Sequence, residues 1–356
     1  MKTEPPLNLA EYEARAQAIL PRGIYDYFAR GAADDVTLRE NASAWNELRL
    51  RPRVLVDTAA PDLATTILGQ PVTMPVMTAP CAMNAMAHPE GELAVARATA
   101  AAGMIQVLSM GSSYTLEEVA AAAAGPRWFQ LYCVRDRAVT RDLVQRAEQA
   151  GYGALCLTVD SPMDGIREHN LRNRFQAPPP GHRPLANLIP YGFDFSEKFR
   201  NQSWHDPSLT WDTLHWLRGL TRLPIVLKGI LDPEDARLAA EHGAAGIIVS
   251  NHGGRQLDTS IATCPALRPV VEAVAGRAEV YVDGGIRRGS DVVKALALGA
   301  RAVLIGRSFL WGLAVDGEAG VARVLEILRQ ELRLNLTLIG CARATELERG
   351  LTQPPH

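Results

Sequence analysis

The chain has 356 residues, 47% of them hydrophobic, and a formal net charge of −2 at pH 7. A chain of this length and apolarity can fill one large α/β barrel domain, which takes about 250 residues or more. Its charges are nearly balanced and form no long run of one sign, which argues against nucleic acid as a partner.

The first residues and the cysteines indicate an intracellular protein. The opening MKTEPP lacks the apolar segment of a signal peptide, and no uncharged apolar stretch is long enough to span a bilayer. The five cysteines are odd in number and show no CxxC or other metal-type spacing. We therefore expect a soluble cytoplasmic protein with reduced thiols, no metal site and no membrane attachment.

The first 56 residues predict a helical extension that precedes the main fold. Residues 9–20 are predicted to be helical and to end at Pro21, and residues 23–31 add a cluster of aromatic side chains. Residues 48–56 alternate Leu, Arg and Val, and they predict a short strand with Pro52 at an edge.

Beyond this extension, short apolar runs alternate with segments of helical length. The eight runs are residues 72–79, 104–110, 128–132, 154–159, 224–229, 246–250, 280–284 and 302–306. Near-continuous apolarity is typical of strands buried on both faces, and eight is the number that a closed parallel barrel needs. We predict an α/β fold, a (β/α)8 TIM barrel, in a single domain over residues 1–356.

Local helix signals agree with this alternation. Thr115 and Glu118 predict a capping box, and Asp232 predicts an N-cap before a proline at the first helical position. A further helix is predicted from Ser290 to Gly299.

Residues 176–211 interrupt the alternation after the fourth strand. The segment is rich in Pro, Gly, Asn and aromatic residues, and long loops in compact domains are commonly functional. It would lie at the carboxyl ends of the strands, so we interpret it as a lid over a ligand site rather than as an idle insertion.

Polar residues follow one strand after another at its carboxyl end, where barrel enzymes carry their catalytic groups. They are Gln130, Tyr132, Thr158, Asp160, Lys228, Ser250, Asn251, His252, Asp283 and Arg307. One such residue alone is best explained as a satisfied structural group. A ring of them at one end of a barrel predicts an active site.

The segment SNHGGRQLD, residues 250–258, is the most informative part of this ring. His252 can move a proton near neutral pH, and Arg255 can hold a carboxylate through two hydrogen bonds. The two glycines between them let the backbone turn sharply and approach a ligand. A base beside an anion clamp predicts a site where an acid loses protons.

Two further segments predict a phosphate site after strands seven and eight. DGGIRRGS, residues 283–290, and GRS, residues 306–308, each combine glycine with arginine where such barrels commonly bind phosphate.

Lys228 has three interpretations, as a Schiff-base lysine, as the partner of a buried acid, or as a cation facing an anionic cofactor ring. The residues alone leave these three open.

Seven stretches of the chain resemble one enzyme family. They are YDYFARGA, AHPEGELAVARA, FQLY, LTVDSP, LKGI, SNHGGRQLD and DGGIRRGSDVVKALALGA. They resemble the FMN-dependent 2-hydroxy acid oxidases and dehydrogenases, which include glycolate oxidase, lactate oxidase, mandelate dehydrogenase and hydroxymandelate oxidase. The resemblance runs from about residue 9 to residue 341, and it implies a TIM barrel that carries FMN.

The resemblance implies a role for each residue that carries the reaction. His252 would take a proton from the substrate, and Asp160 would stabilise the resulting imidazolium. The substrate carboxylate and reacting hydroxyl would be bound by Arg255, Arg167, Tyr27 and Tyr132.

The resemblance also implies a full set of cofactor contacts. Lys228 would lie beside flavin N1 and O2 and stabilise negative charge on the reduced ring, which favours the third of its interpretations. The ring and its edge would be contacted by Pro80, Cys81, Ala82, Ser109, Gln130, Thr158, Ser250 and His252. The ribityl chain and the phosphate would be held by Asp283, Gly285, Arg287, Gly306 and Arg307.

One departure from the family bears on the substrate. Gly111 stands where glycolate oxidase has a tryptophan over the substrate, and mandelate-type enzymes also carry small residues there. We therefore expect a larger pocket and a substrate bulkier than glycolate, such as an aryl or long-chain acid. The alternative is that Met110, Met163 or a lid residue such as Phe193 fills the gap.

The implied reaction oxidises an (S)-2-hydroxy acid to a 2-keto acid, with two electrons passing to FMN as a hydride or through a carbanion-like state. We expect reoxidation by O2 with release of H2O2, and transfer to a quinone or carrier protein is the alternative. A non-redox aldolase or isomerase barrel that uses Lys228 as a Schiff base is more distant, because it gives His252 and Arg255 no common role. The resemblance further implies a homotetramer or octamer.

Overall fold

Eight parallel strands close into a barrel in the computed structural model, which describes residues 4–176, 178–179, 181–193 and 205–353. The barrel strands, in chain order, are Val76–Thr78, Gln106–Ser109, Arg127–Leu131, Leu155–Thr158, Ile225–Ile230, Gly246–Val249, Glu279–Val282 and Ala302–Ile305. The eighth strand closes on the first in parallel, with Val303 opposite Val76. The predicted TIM barrel is confirmed.

Helices follow the barrel strands in sequence. They are Gly91–Ala101, Leu116–Ala122, Arg137–Gln149, Glu168–Arg172, Trp211–Arg218, Pro233–Glu241, Thr263–Val274, Gly289–Ala297 and Arg307–Ile339. The last of these is interrupted at Asp316 and Gly317, whose backbone angles are not helical. Short 3-10 helices occur at Asn84–Met86, Ile189–Tyr191, Ala344–Glu346 and Arg349–Leu351.

The helix signals read from the sequence are present. Glu118 and Thr115 exchange the two bonds of a capping box, at 3.2 and 2.7 Å. Asp232 accepts a hydrogen bond of 2.7 Å from the backbone of Glu234.

The N-terminal extension contains three helices, Leu9–Ile19, Arg22–Ala29 and Val36–Glu47. The strand predicted over residues 48–56 is wrong beyond its start, because only Arg49–Leu50 is extended and paired, with Thr352–Gln353. Pro52 offers no N–H for a ladder, residues 51–56 are exposed, and Leu55 has a φ of +60°. The segment therefore leaves the sheet after two residues.

The amino ends of the barrel strands are covered by an antiparallel hairpin, Thr65–Ile67 and Gln70–Val72. Ile67 and Val72 pack into the same apolar cluster as the residues that fill the barrel interior, among them Met77, Val107, Cys156, Val226, Ile248 and Tyr281. The backbone N–H of Leu68 donates to Glu279, the first residue of the seventh strand, at 3.1 Å. The open end of the barrel is the carboxyl end.

Part of the predicted lid, residues 177, 180 and 194–204, lies outside the described residues. Its function as a lid stays a prediction, as does the single domain over residues 1–356. No helix among the described residues has both the length and the apolarity needed to cross a bilayer.

Candidate active site

A cleft at the carboxyl ends of the barrel strands brings together most of the residues predicted from the sequence. It contains about 1240 Å³ of space free of protein atoms, including its open mouth. Its lining includes Tyr27, Pro80, Cys81, Ala82, Ser109, Gly111, Tyr132, Thr158, Arg167, Lys228, His252, Arg255, Asp283, Gly285, Arg287, Gly306 and Arg307. The remaining predicted residues, Gln130, Asp160 and Ser250, lie directly behind this lining and hydrogen-bond to it.

His252 and Asp160 form the central hydrogen bond of the cleft. Asp160 Oδ1 lies 2.9 Å from His252 Nδ1, so this bond orients the imidazole and leaves Nε2 as its other nitrogen. The backbone of His252 has a φ of +59°, and its N–H donates to Ser250 Oγ at 3.1 Å. A left-handed residue directly after a buried strand turns the chain so that the side chain faces the cleft.

The protonation of this pair follows from burial and charge. Burial lowers the pKa of His252, and the Lys228 cation adds to this while Asp160 opposes it. Burial alone would raise the pKa of Asp160, but the charge and hydrogen bond of His252 outweigh burial and lower it. The imidazole is therefore neutral near pH 7 beside an ionised carboxylate, which is the state that a general base requires.

Lys228 is buried and paired with a carboxylate. Its Nζ lies 3.2 Å from Asp283 Oδ2 and donates to Ser250 Oγ at 2.8 Å. Burial disfavours the charged amine, but Asp283 and Asp160 outweigh burial and raise the pKa of Lys228. A lysine held in the charged form is a poor Schiff-base nucleophile. Asp283 Oδ1 is buried and has no hydrogen-bond partner among the described residues.

The loop after the seventh strand requires glycine at two positions. Gly284 and Gly285 have φ angles of +85° and +84°, and a Cβ at Gly285 would lie 2.0 Å from the backbone oxygen of Asn41. The indole of Trp45 donates to the backbone oxygen of Gly284 at 2.8 Å. These contacts hold the loop against the helix Val36–Glu47, and the two glycines line the cleft.

Buried arginines concentrate positive charge in the cleft. Burial lowers the pKa of Arg307 to about 9, with Arg255 and Arg287 adding to the effect, and burial and Arg167 lower that of Arg255 to about 10. Burial also lowers the pKa of Arg287. Buried cations that repel one another favour a bound anion between them.

Two of these arginines also hold the N-terminal extension in place. Arg255 Nη1 donates to the backbone oxygens of Tyr27 and Arg30, at 2.6 and 2.9 Å, and its guanidinium lies 5.1 Å from the centre of the Tyr27 ring. Arg307 donates to three backbone oxygens, those of Phe28, Gly253 and Arg30. The Arg307 side chain thus binds protein carbonyls, and its main-chain N–H begins the long final helix.

A polar row lies behind the cleft between the second and fourth strands. Ser109 donates to Gln130 Oε1 at 3.2 Å, and Gln130 Nε2 donates to Thr158 Oγ1 at 3.0 Å. Beside the row, burial raises the pKa of Cys81 to about 12, so its thiol stays protonated. A protonated, buried thiol acts here as a small lining group.

Gly111 lies where the sequence predicted extra space, and part of that space is occupied. A Cβ at Gly111 would lie 3.1 Å from Ala82 Cβ and 3.6 Å from Leu185 Cδ2. Leu185 is buried and lines the cleft. The residue that packs against Gly111 from the predicted lid segment is therefore Leu185 rather than Phe193.

Several cleft residues were missed by sequence reasoning, among them Asp164, Leu185, His205 and Gln256. Asp164 follows Asp160 by four residues, and Gln256 belongs to SNHGGRQLD, so their position beside known site residues was the available signal. His205 belongs to the long segment after the fourth strand, where no periodic pattern relates sequence position to the cleft.

Comparison with known proteins decides the family. The profile of the FMN-dependent dehydrogenase family matches residues 16–354. The L-lactate oxidase of Nostoc sp. is 50% identical over 96% of this chain and 97% of its own length. The glycolate oxidase of Spinacia oleracea is 49% identical over 96% of this chain and 94% of its own length. The chain belongs to the FMN-dependent 2-hydroxy acid oxidases and dehydrogenases.

Solved structures of this family superimpose closely. A mandelate oxidase with benzoylformic acid has a TM-score of 0.90 and 42% identity, covering 98% of this chain and 99% of its own. A soluble mutant of the membrane-associated (S)-mandelate dehydrogenase from Pseudomonas putida has a TM-score of 0.92 and 39% identity. The match covers 98% of this chain and 100% of the dehydrogenase chain. The family membership excludes the non-redox aldolase or isomerase interpretation.

The cleft of this FMN-dependent enzyme fits its cofactor. Asp283 Oδ1 is a buried acceptor with no hydrogen-bond partner among the described residues, which suits a ribityl hydroxyl, and Gly284 and Gly285 line the cleft beside it. The buried arginines and the start of the helix Arg307–Ile339 supply the charge and N–H groups that a phosphate requires. The polar row behind the cleft offers donors and acceptors for a heterocycle.

Proposed function

We propose that the chain oxidises an (S)-2-hydroxy acid to the 2-keto acid and passes the two electrons to O2, releasing H2O2. In this balance the substrate loses two electrons and two protons, and O2 gains both. The observation that carries the proposal is the His252–Asp160 hydrogen bond of 2.9 Å in the same cleft as Arg167 and Arg255. A base beside anion-binding cations suits an acid that must lose protons.

His252 is the proposed base. Its Nδ1 is held by Asp160, so Nε2 is the atom that receives the substrate proton. The lowered pKa keeps this atom unprotonated at neutral pH, and Asp160 stabilises the imidazolium once the proton has arrived. His252 thereby couples proton removal to electron loss at the substrate.

Arg255 and Arg167 are the proposed ligands of the substrate carboxylate. The two hydrogen bonds of Arg255 to protein come from Nη1, and Arg167 Nε is buried without a hydrogen-bond partner among the described residues. Both side chains therefore keep guanidinium N–H groups for a carboxylate. Tyr27 and Tyr132 line the same cleft and are proposed to bind the carboxylate and the reacting hydroxyl.

FMN, when bound, supplies the two-electron acceptor. Lys228 is the proposed cation beside its ring, because the amine is buried and charged. The proposed ring contacts are Pro80, Cys81, Ala82, Ser109, Gln130, Thr158, Ser250 and His252. The proposed ribityl and phosphate contacts are Asp283, Gly285, Arg287, Gly306 and Arg307.

The proposed substrate is larger than glycolate. Gly111 leaves room that a bulky side chain would fill, and Leu185 occupies only part of this room with a side chain that can change rotamer. The similar proteins include enzymes called L-lactate oxidase, glycolate oxidase and mandelate oxidase, so the proposal of a larger acid rests on Gly111.

O2 is the proposed acceptor because the relatives called lactate or glycolate oxidases, at 48–51% identity, and the structures called mandelate oxidases, at 42%, are more similar to this chain than the structures called mandelate dehydrogenases, at 38–39%. The competing proposal is a dehydrogenase that reduces a quinone or a carrier protein.

We also propose, from the family resemblance alone, a homotetramer or octamer in the cytoplasm. Light scattering after gel filtration would test the oligomeric state, and cell fractionation would test the location.

Anaerobic flavin reduction tests the proposed function. The holoenzyme is mixed without oxygen with glycolate, L-lactate, both mandelate enantiomers and 2-hydroxyoctanoate, and the flavin absorbance is followed. We expect bleaching by the (S) acids, faster with the larger ones, and recovery of colour with stoichiometric H2O2 when air is admitted. Bleaching without recovery in air supports the dehydrogenase, and a flavin that no 2-hydroxy acid bleaches contradicts the proposal.

A further inference from the structure

Asp164 places a carboxylate in the substrate part of the cleft. It lies in the loop between the fourth strand and the helix Glu168–Arg172, and its side chain is 22% exposed. Its Oδ1 is 3.7 Å from Arg167 Nη2 and 3.6 Å from His205 Nε2. The carboxylate is therefore beside the proposed binding group for the substrate carboxylate.

The backbone around Asp164 is held firmly. Gln256 accepts a hydrogen bond of 2.8 Å from the N–H of Gly165 and donates to the backbone oxygen of Met163 at 3.3 Å. A Cβ at Gly165 would lie 2.5 Å from the backbone oxygens of Arg255 and Gln256, so this loop packs tightly on residues 255–256. Asp164 is thus fixed relative to His252 and Arg255 by the loop that carries them.

His205 forms the other side of this polar surface. Its side chain is 3% exposed, its ring meets the Tyr132 ring edge-on at 5.2 Å, and its backbone forms a bridge with Val134. Burial raises the pKa of Tyr132, and the Asp160 and Asp164 charges raise it further. The negative charge of Asp164 therefore acts on the Tyr132 phenol, which lines the same cleft.

We propose that Asp164, with His205 beside it, determines specificity by accepting a hydrogen bond from a hydroxyl or ammonium group on the substrate side chain. The inference rests on the proposed function, since it names the substrate class of the same cleft. A carboxylate that binds Arg167 brings groups a few carbon atoms away close to Asp164, because Arg167 and Asp164 are 3.7 Å apart.

Desolvation and charge explain why Asp164 would favour a hydroxyl or ammonium group on the substrate side chain. An apolar group packed on Asp164 itself, rather than in the space beside Gly111 where a bulky substituent is proposed to lie, would remove water from a carboxylate without replacing its hydrogen bonds, which disfavours binding. A second carboxylate would be repelled at this distance. A hydroxyl or ammonium group replaces the lost water, and an ammonium group also gains from the opposite charge.

Matched substrates test the inference on the FMN-loaded enzyme. Four- and five-carbon (S)-2-hydroxy acids are compared that differ only in a terminal methyl, hydroxyl, ammonium or carboxylate group. We expect kcat/KM for the hydroxyl and ammonium compounds to exceed that for the methyl compound about tenfold or more, with the carboxylate lowest. Equal kcat/KM for the methyl and hydroxyl compounds would overturn the inference.

Two variants separate the charge from the hydrogen bond. Asp164→Asn should lose the preference for ammonium and keep part of that for hydroxyl, and Asp164→Leu should lose both and use the methyl compounds better. Asp235→Asn, on the exposed face of the helix Pro233–Glu241, is the control and should keep the wild-type ratios. If Asp164→Leu fails to retain FMN, the nearly isosteric Asp164→Asn decides the question.

The possible failures are distinguishable. If L-lactate or (S)-mandelate reduces the flavin while the ratios are the same in wild type and in both Asp164 variants, only this inference fails. If no 2-hydroxy acid of any kind reduces the flavin, the proposed function fails together with it.

Discussion

The active-site cleft has two parts of different construction. A strand-end group, consisting of Asp160, Lys228, His252, Asp283 and Gly285, lies on or directly after buried barrel strands. A loop group, consisting of Gly111, Asp164, Leu185 and His205, lies on the connections between strands and helices. The first is tied together by short hydrogen bonds and ion pairs, and the second is largely shaped by packing between loops.

This difference in construction suits the strand-end group to the reaction and the loop group to substrate specificity. Strand ends are held in register by the barrel ladder, so they keep the proposed base His252, the Lys228 cation and the proposed cofactor contacts in fixed relation. Loops can change without disturbing the barrel, so they are suited to setting the size and polarity of the pocket. Changes in the strand-end group should affect all substrates alike, and changes in the loop group should alter ratios between substrates.

The largest effect is expected for His252→Gln. Without the base, the anaerobic rate of flavin reduction should fall about 10³-fold for every acid in the panel, since general-base catalysis contributes about 10²–10⁴-fold. FMN content should stay near wild type, and His215→Gln, on the exposed face of the helix Trp211–Arg218, serves as the control. Stopped-flow reduction at the wild-type rate would contradict the assignment of His252 as base.

The next largest effect is expected for Asp160→Asn, read from pH dependence. With His252 as the proposed base, flavin reduction should need its neutral form, so in the wild type the rate should be full near pH 7 and fall as pH drops through a pKa that burial places below 6.5. Asp160 opposes this lowering, so its removal should move the acid limb to still lower pH. The plateau rate should also fall about 10²-fold, because the imidazolium loses its anionic partner.

A limb that moves to higher pH in Asp160→Asn would mean that this carboxylate is not what supports the protonated imidazole. Asp142→Asn, which changes a carboxylate bonded to the Tyr191 hydroxyl, is the control and should leave the pH profile unchanged.

The strand-end group could be predicted from the sequence far better than the loop group. The strand-end group was predicted because strand, turn and helix signals place His252, Lys228 and Asp283 at the same end of a barrel whatever the loops do. Leu185 and His205 were missed because their positions depend on long-range packing of a segment with no periodicity. The alternative for Gly111 was filling by Met110, Met163 or a lid residue such as Phe193, and the lid residue that lies against Gly111 is Leu185.

Gly285→Ala is expected to weaken FMN binding about 30-fold, an effect between that of Asp160→Asn and the loop variants. The added Cβ would lie 2.0 Å from the Asn41 backbone oxygen, at a φ of +84°, so the loop that is proposed to hold the ribityl and phosphate groups must move. Gly276→Ala is a matched control, because its φ of +74° gives similar strain while nothing lies within 4 Å of its Cβ.

FMN titration of the apoprotein and thermal unfolding measure the two contributions separately. Both variants should unfold at lower temperature, and only Gly285→Ala should lose affinity for FMN. Equal affinities in the two variants would show that the cradle at Gly285 tolerates displacement and that the strand-end group is less rigid than its contacts indicate.

The smallest effect, and the one confined to the loop group, is expected for Gly111→Trp. The indole would displace Leu185 and fill the space beside Ala82, so kcat/KM for (S)-mandelate and 2-hydroxyoctanoate should fall about tenfold relative to glycolate. Gly111→Ala is the control, because its Cβ, 3.1 Å from Ala82 Cβ, reports the local crowding without filling the pocket. A uniform loss for all acids would place Gly111 with the strand-end group, because only a change in ratio between substrates marks a residue that sets pocket size.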